Sequence, residues 1–358
     1  MRTLVVSDLH IGAGHGRSRL DDDAVVETLA AAVAQSDRLV LLGDVVELRQ
    51  QPMRDALAAA SRVLPRVVAG LGEGREVVLV AGNHDHELFG GWAARRLSSA
   101  QPGPLTLETP VDWLTDEPLA ALAGMLASSG ASVRAAYPGV WLRDDVYAMH
   151  GHYLDRHTTA PGFERLGAGA MSKLLRLPAD QLRTPDDYER ILAPIYAWML
   201  AISERGGSEI DGADGGGSSR ILRRLRAGGL EGRALQAGVS TLAKILELAG
   251  LGELSGDLSG PALCRTELRG FGTALLNLGV DAEYVLFGHT HRAGPLAGDE
   301  PAQWIAPRGA RLLNSGCWVQ EGAAFMSADE QTESPYRAGF AIELDGDGPP
   351  RLVNLLDA

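Results

Sequence analysis

Lysine is almost missing from this chain of 358 residues: Lys173 and Lys244 stand alone among 33 basic side chains, so positive charge is nearly all guanidinium. Genome composition accounts for that bias. Cysteine is as scarce, and Cys264 and Cys317 exclude a disulfide framework and a cysteine-rich zinc site. No apolar run reaches the ~18 residues of a membrane span. Positive charge falls short overall, with a net charge of −13. A protein that grips nucleic acid over a wide surface needs the opposite balance, so no extended nucleic-acid binding is expected. Strand-like Arg2–Ser7 begins at once, leaving no room for a secretory signal, and a reducing, cytoplasmic enzyme is expected.

Histidine has the most telling gap. The nine are His10, His15, His84, His86, His150, His152, His157, His289 and His291, with none between His157 and His289. They form short clusters beside small or acidic residues, just after runs of apolar residues.

Those runs set the organisation. Arg2–Ser7, Arg38–Leu42 and Glu76–Ala81 read as buried strands, alternating with helices over Asp21–Gln35 and Pro52–Leu71. Such alternation predicts crossover units and a layered α/β core. Short strands then follow at Ser132–Ala136, Val140–Arg143 and Val146–Met149, separated by Pro-Gly and Asp-Asp turns. The texture returns at Glu283–Phe287, Arg311–Asn314, Gly339–Leu344 and Arg351–Leu356. Residues 1–154 and 280–358 therefore form one expected catalytic domain. Between them, 155–279 is helical, with helices expected over Phe163–Leu175, Asp186–Arg205, Ser219–Ala227, Arg233–Ala249 and Pro261–Leu278. A Gly/Asp/Ser run near 206–219 reads as a flexible loop. Residues 156–280 carry 15 basic and 14 acidic side chains, which leaves the acidic excess to the rest of the chain. This segment is expected to be a cap or lid inserted into the main domain.

The polar motifs all sit at predicted strand ends, where open α/β sheets place their sites. They are Asp8-Leu9-His10, Gly43-Asp44-Val45-Val46-Glu47, Gly82-Asn83-His84-Asp85, His150-Gly151-His152 and Gly288-His289-Thr290-His291. On an extended backbone the outer residues of Asp8-x-His10 and His289-x-His291 point the same way and converge. Imidazole, carboxylate and amide oxygen together suit Mn²⁺, Fe or Zn²⁺ rather than soft metals. Seven such donors exceed one ion's needs and suit two ions sharing a carboxylate. Rival signatures fail: Arg17 stands where a dinucleotide fingerprint needs its third glycine, Gly90 replaces the second histidine of a zinc-protease helix, and no Gly-x-Ser-x-Gly elbow occurs.

In this order the five motifs resemble the calcineurin-like metallophosphoesterase superfamily, over nearly the whole chain except the helical insertion. The resemblance implies a β-sandwich flanked by helices with two divalent ions at the sheet edge, Mn²⁺ first and Fe, Zn²⁺ or Mg²⁺ as alternatives. It implies Asp8, His10 and His291 on one ion, Asn83, His150 and His289 on the other, and Asp44 between them. His84 would stabilise the phosphate or act as general acid, with Asp85 orienting it. Glu47 and His152 are expected near substrate or behind the ligands, whereas His15, His86, Asp155 and His157 read as rim or surface. Asn314-Ser315-Gly316 resembles the turn after the last ligand motif, and Cys317 reads as a packed hydrophobe.

The implied reaction is hydrolysis of a phosphate ester or anhydride by metal-activated water. Glu47-Leu48-Arg49 replaces the Asp-Arg-Gly of the Ser/Thr protein phosphatases, and the acidic balance argues against the repair nucleases. Gly-Asp-x-x-Glu with a helical insertion is similar to the UDP-2,3-diacylglucosamine hydrolases. His84 and His152 depart from that pattern, which usually has Arg and Asp there. A small phosphodiester or nucleotide-type pyrophosphate is expected, nucleotide-linked or lipid-linked. A phosphomonoesterase and a non-catalytic scaffold are the alternatives. Apolar Ile191–Ile202, with Tyr196 and Trp198, reads as a buried cap helix or a lipid or base pocket, leaving peripheral membrane contact through the cap open. Arg220, Arg223, Arg224, Arg226 and Arg233 form a basic cluster, a solvated face or an anion contact.

Overall fold

Successive side chains along each strand of the computed structural model enter different apolar layers, and that alternation sets the architecture. The structure describes residues 1–14, 17–160, 163–205, 257, 259–320 and 333–357. Strands β1 (Arg2–Val6), β2 (Arg38–Leu42) and β3 (Glu76–Val80) run parallel, joined through helices α1 (Asp23–Ala34) and α2 (Met53–Val68). Leu4, Val6, Leu39, Leu41, Val77 and Leu79 pack with α1 and α2, while Val5, Val40, Leu42, Val78 and Val80 enter a second layer. Helix α1 starts where the Asp22 carboxylate accepts the Ala24 N–H at 2.9 Å. After β3 come α3 (Gly90–Ser98), β4 (Glu108–Val111) and α4 (Pro118–Leu126), in a stretch with no predicted element.

Strand β5 (Ser132–Arg143) corrects one expectation. Pro138-Gly139 is not a turn between separate strands; it lies inside one of 12 residues. Ser132–Ala136 pairs parallel with β3, and Gly139–Arg143 pairs antiparallel with β6 (Val146–Met149). Proline sits where the strand changes partners, the position at which a ladder N–H is least missed. Gly139 is needed because a Cβ there would collide with Tyr147 and the Ala148 carbonyl.

Beyond β6 the sheet continues in parallel through β7 (Tyr284–Phe287) and β8 (Arg311–Asn314). At the other end β9 (Phe340–Asp345) and β10 (Arg351–Asn354) pair antiparallel outside β1. The described sheet has ten strands in the order β10-β9-β1-β2-β3-β5-β6-β7-β8, with β4 beside β5. It folds on itself: Val146, Ala148, Leu286 and Leu313 from one half share an apolar layer with Val5, Val40, Val78 and Ile342 from the other. The expected sandwich is this doubled sheet.

Helices α5 (Phe163–Leu175), α6 (Pro185–Ser203) and α7 (Gly260–Leu278) cover the second half. Their Ala168, Ile191, Ile195 and Phe271 share one core with Tyr147, Met149, Val285 and Phe287. Helix α6 opens with a capping box between Thr184 and Asp187. In Ile191–Ile202, Ile191, Leu192, Ile195 and Tyr196 are buried, and Trp198 is half-exposed. The expected loop near 206–219, the helices over 219–227 and 233–249, and the five-arginine cluster lie outside the described residues. Among the described residues, no helix is long and apolar enough to cross a membrane.

Candidate metal centre and active site

Five strands deliver the site residues from their C-terminal ends. Asp8 and His10 follow β1, Asp44 follows β2, Asn83 and His84 follow β3, His150 follows β6, and His289 and His291 follow β7. Convergence does not come from extended backbone, as the spacing suggests. Asp8 (φ 55°), His10 (43°), Asp44 (54°), His289 (68°) and His291 (58°) all occupy the left-handed region, and Arg176 is the only other described non-glycine residue there. Such backbone is strained for side chains with a Cβ and clusters at working sites. Glycines make room in this tight packing: a Cβ on Gly82 would collide with Asp44, and one on Gly288 with Ser7 and Asp8.

Two groups of donors meet at Asp44. In the first, His10 Nε2 lies 3.0 Å from His291 Nε2, and Asp8 Oδ1 lies 3.3 Å from His291 Nε2. In the second, Asn83 Oδ1 lies 3.1 Å from His150 Nε2 and 2.9 Å from His289 Nδ1. One oxygen, Asp44 Oδ2, faces both, 3.7 Å from His10 Nε2 and 3.2 Å from His150 Nε2. Donors about 2.1 Å from a metal are about 3.0–3.4 Å apart along the edges of octahedral or tetrahedral coordination. Most of these spacings fall in or near that window. Asp8–His10–His291 and Asp44–His150–His289 are therefore groups that can each hold an ion, as is His10–Asp44–His84.

The donor chemistry passes the same test. His150 Nδ1 donates to the Leu42 carbonyl at 2.9 Å, which leaves Nε2 as a lone pair aimed inward. His10 Nδ1 is held by Glu47 at 2.9 Å, with the same result. Asp8 Oδ1 is buried without a hydrogen bond. The Asn83 amide oxygen faces the His150 and His289 ring nitrogens, a contact that a ring proton, a reversed amide or a cation between them satisfies. The residues present fit two divalent ions.

Electrostatics point the same way. Burial would raise the Asp8 and Asp44 carboxyls, yet His150 and the other neighbouring imidazoles hold both well below the usual range. Burial would lower His10 and His150, yet the carboxylates push each up to about 9. The buried negative charge thus demands compensation, by protons on imidazole or by cations that displace them. His84 goes the other way, lowered by burial and then by the Arg49 guanidinium.

The remaining expected residues divide. Glu47, 1% exposed, grips His84 Nδ1 and His10 Nδ1, each at 2.9 Å. His84 also donates its backbone N–H to Asp44 Oδ1 at 2.7 Å. The expectation for Asp85 needs correction, because it does not touch His84. Its carboxylate accepts from Val45 N at 2.6 Å and Gly82 N at 2.7 Å, tying the second and third ligand loops together. Burial, with Asp44 nearby, pushes it up to about 6. Of the two places expected for His152, the structure has the one behind the ligand candidates: it is fully buried among His150, Tyr153 and Tyr196, and neither ring nitrogen finds a hydrogen bond. Burial keeps it neutral.

Two residues read as rim or surface are buried, although Asp155 also lines the cleft. His86 bonds Glu189 at 2.9 Å, and Glu189 also accepts from Tyr153 at 2.8 Å. Asp155 Oδ1 bonds His289 Nε2 at 2.9 Å. His157 instead bonds the Tyr188 hydroxyl, and His15 lies outside the described residues. Asn314 braces the last ligand loop, donating to the Gly288 carbonyl at 2.9 Å and Thr290 Oγ1 at 3.0 Å. Arg49, missed as a contact residue, pairs with Glu164 at the start of α5 and reaches the Asn83 carbonyl. A cleft of about 300 Å³ is lined by His84, His289 and His291 together with Asp155, Glu164, Arg165 and Glu267.

The model of the calcineurin-like phosphoesterase family matches residues 1–214. This chain belongs to that family. As a calcineurin-like phosphoesterase it is a metal-dependent hydrolase of phosphate esters, built on the family's mixed α/β fold. The family implies a dinuclear divalent metal centre, and the two donor groups described above can supply one. The matched span ends before β7, so the family match does not cover His289 and His291. A solved structure of a dimetal phosphatase from Danio rerio aligns over 99% of each chain at 14% identity with a TM-score of 0.35, too slight a likeness to carry an argument. No curated protein matches.

Proposed function

We propose that this phosphoesterase hydrolyses a small phosphodiester or nucleotide-type pyrophosphate, with Asp8, His10 and His291 on one ion, Asn83, His150 and His289 on the other, and Asp44 shared. The observation that carries the reading is Asp44 Oδ2, a single buried oxygen facing both donor groups. When bound, two divalent ions supply Lewis acidity to a phosphoryl oxygen and a nucleophilic water at neutral pH. The chain's own contribution is orientation. Glu47 fixes His84 by Nδ1, so its other nitrogen is the one available to a substrate phosphate, and His84 lines the cleft. Asp85 keeps the Asp44 and Asn83 loops in register.

Residues 155–279 act in this reading as the cap that shapes the leaving-group side, since Glu164 of α5 and Glu267 of α7 line the cleft. Gly-Asp-x-x-Glu and that insertion favour a pyrophosphate substrate like that of the UDP-2,3-diacylglucosamine hydrolases. Mn²⁺ is the proposed metal on the mixed imidazole and oxygen donor set. A cytoplasmic setting fits the two buried cysteines, which form no disulfide, and half-exposed Trp198 is the candidate for peripheral membrane contact.

The test is turnover of bis(4-nitrophenyl) phosphate against 4-nitrophenyl phosphate by the Mn²⁺-loaded full chain. Faster diester cleavage supports the reading. Faster monoester cleavage replaces it with a phosphomonoesterase, and no turnover with two ions bound leaves a scaffold.

A further inference from the structure

Every histidine proposed as a ligand has two ring nitrogens, and what holds one decides what the other presents. On the first donor group the holder is Glu47, at His10 Nδ1. On the second, His150 is held by a neutral backbone carbonyl. His289 is held by Asp155, whose Oδ1 lies 2.9 Å from Nε2, so Nδ1 is the atom turned toward Asn83. Asp155 is 7% exposed, and Oδ2 is buried without a hydrogen bond, so the carboxylate commits its one bond to this imidazole. It sits on the 3₁₀ turn His152–Arg156, directly after the strand end that carries His150. One short segment thus supplies both a candidate ligand and the brace for another ligand from β7.

We infer that Asp155 is a positioning residue for the second metal site: it fixes the His289 tautomer with the proton on Nε2, turns Nδ1 to the ion, and adds a negative charge behind the ring. This inference rests on the reading of His289 as a ligand. A carboxylate behind a ligating imidazole raises its basicity and orders it, and losing such a partner typically costs 10–100-fold in metal affinity or activity. Asp155 also borders the cleft together with Arg165, so a substrate that fills the cleft abuts the brace of one ion.

The experiment is Mn²⁺ binding by equilibrium dialysis on the full chain, for wild type and the Asp155→Asn, Asp155→Ala, Asp155→Glu and His289→Gln variants, with folding checked by circular dichroism. Asp155→Asn keeps the shape and one acceptor, so it tests the charge even if Asp155→Ala fails to fold. The expected result is one site weakened about 10–100-fold in Asp155→Ala, less in Asp155→Asn, and partly restored in Asp155→Glu, with the other site unchanged. Saturating Mn²⁺ should then recover much of kcat, which general damage to the fold would not allow. If Asp155→Asn and Asp155→Ala bind two ions as tightly as wild type while His289→Gln loses one, the role of Asp155 is overturned and the ligand reading stands. If His289→Gln also keeps both ions, the ligand reading itself fails.

Discussion

Glu47→Gln is the sharpest test of how the catalytic edge is built. The carboxylate is buried and joins two imidazoles, His10 Nδ1 and His84 Nδ1, each at 2.9 Å, while Oε1 also accepts the Arg49 N–H at 2.9 Å. Glutamine preserves the volume but offers one acceptor oxygen. Oε2 alone lies 2.9 Å from both ring nitrogens. An amide oxygen in its place keeps His10 while the amide N–H₂ is set against His84 Nδ1–H and the Arg49 backbone N–H. The reversed amide turns its donor on His10 instead. A hydrogen bond to a charged group contributes about 1.5–3 kcal/mol, so losing one costs on that order. If His10 is released, affinity at the first metal site should fall about 10–100-fold, or about 1.4–2.7 kcal/mol. If His84 is released, metal content should hold while kcat falls about a hundredfold or more. Metal titration of kcat and KM separates the two, because saturating metal rescues the first defect and not the second. Wild-type metal affinity together with wild-type kcat would refute the shared-carboxylate account.

Four further outcomes follow. Asp44→Asn should weaken both metal sites at once, measured as metal content after gel filtration, since Oδ2 faces both donor groups. His84→Asn should leave metal content intact while kcat drops about 10²–10⁴-fold, read under saturating metal. Gly82→Ala should unfold or strip the site, because a Cβ there collides with Asp44, and a thermal melt with and without Mn²⁺ would show it. His86 is opposed by burial but raised to about 10 by Glu189 and then Glu87. Its proton therefore stabilises the fold fully below the unfolded value near 6.5, and that contribution disappears as pH rises through about 10. Melting midpoints of wild type and His86→Gln should differ most near pH 6 and converge in strong alkali.

The strand ends were legible because period-two patterning and the apolar-to-polar step both mark them. Arg38–Leu42 and Val146–Met149 fall where the pattern places them. The donor residues were legible for the same reason, as short polar motifs following apolar runs. What the sequence hid was partnership. Asp155 lies 134 residues from His289, and nothing local in His-Gly-His-Tyr-Leu-Asp marks the aspartate as buried. Asp85 follows His84 in the chain, but its carboxylate closes a turn onto Gly82, and adjacency gave the wrong partner. His152 sits beside His150 yet turns into an aromatic pocket, where its ring packs like a hydrophobe. The segment over 90–131 lacked the long amphipathic period that reveals a helix, since α3 and α4 have nine residues each.

Strand β5 has a consequence for how the molecule comes apart. Its N-terminal half is hydrogen-bonded into one side of the doubled sheet and its C-terminal half into the other, with Ala136, Val140 and Leu142 lying in the layer both sides share. Peeling either side away strips the covering from the partner's inward face and breaks the hinge-pin strand they have in common. The two walls of the sandwich should be lost together, and a fragment cut on either side of this pin would carry an apolar face with nothing to meet it.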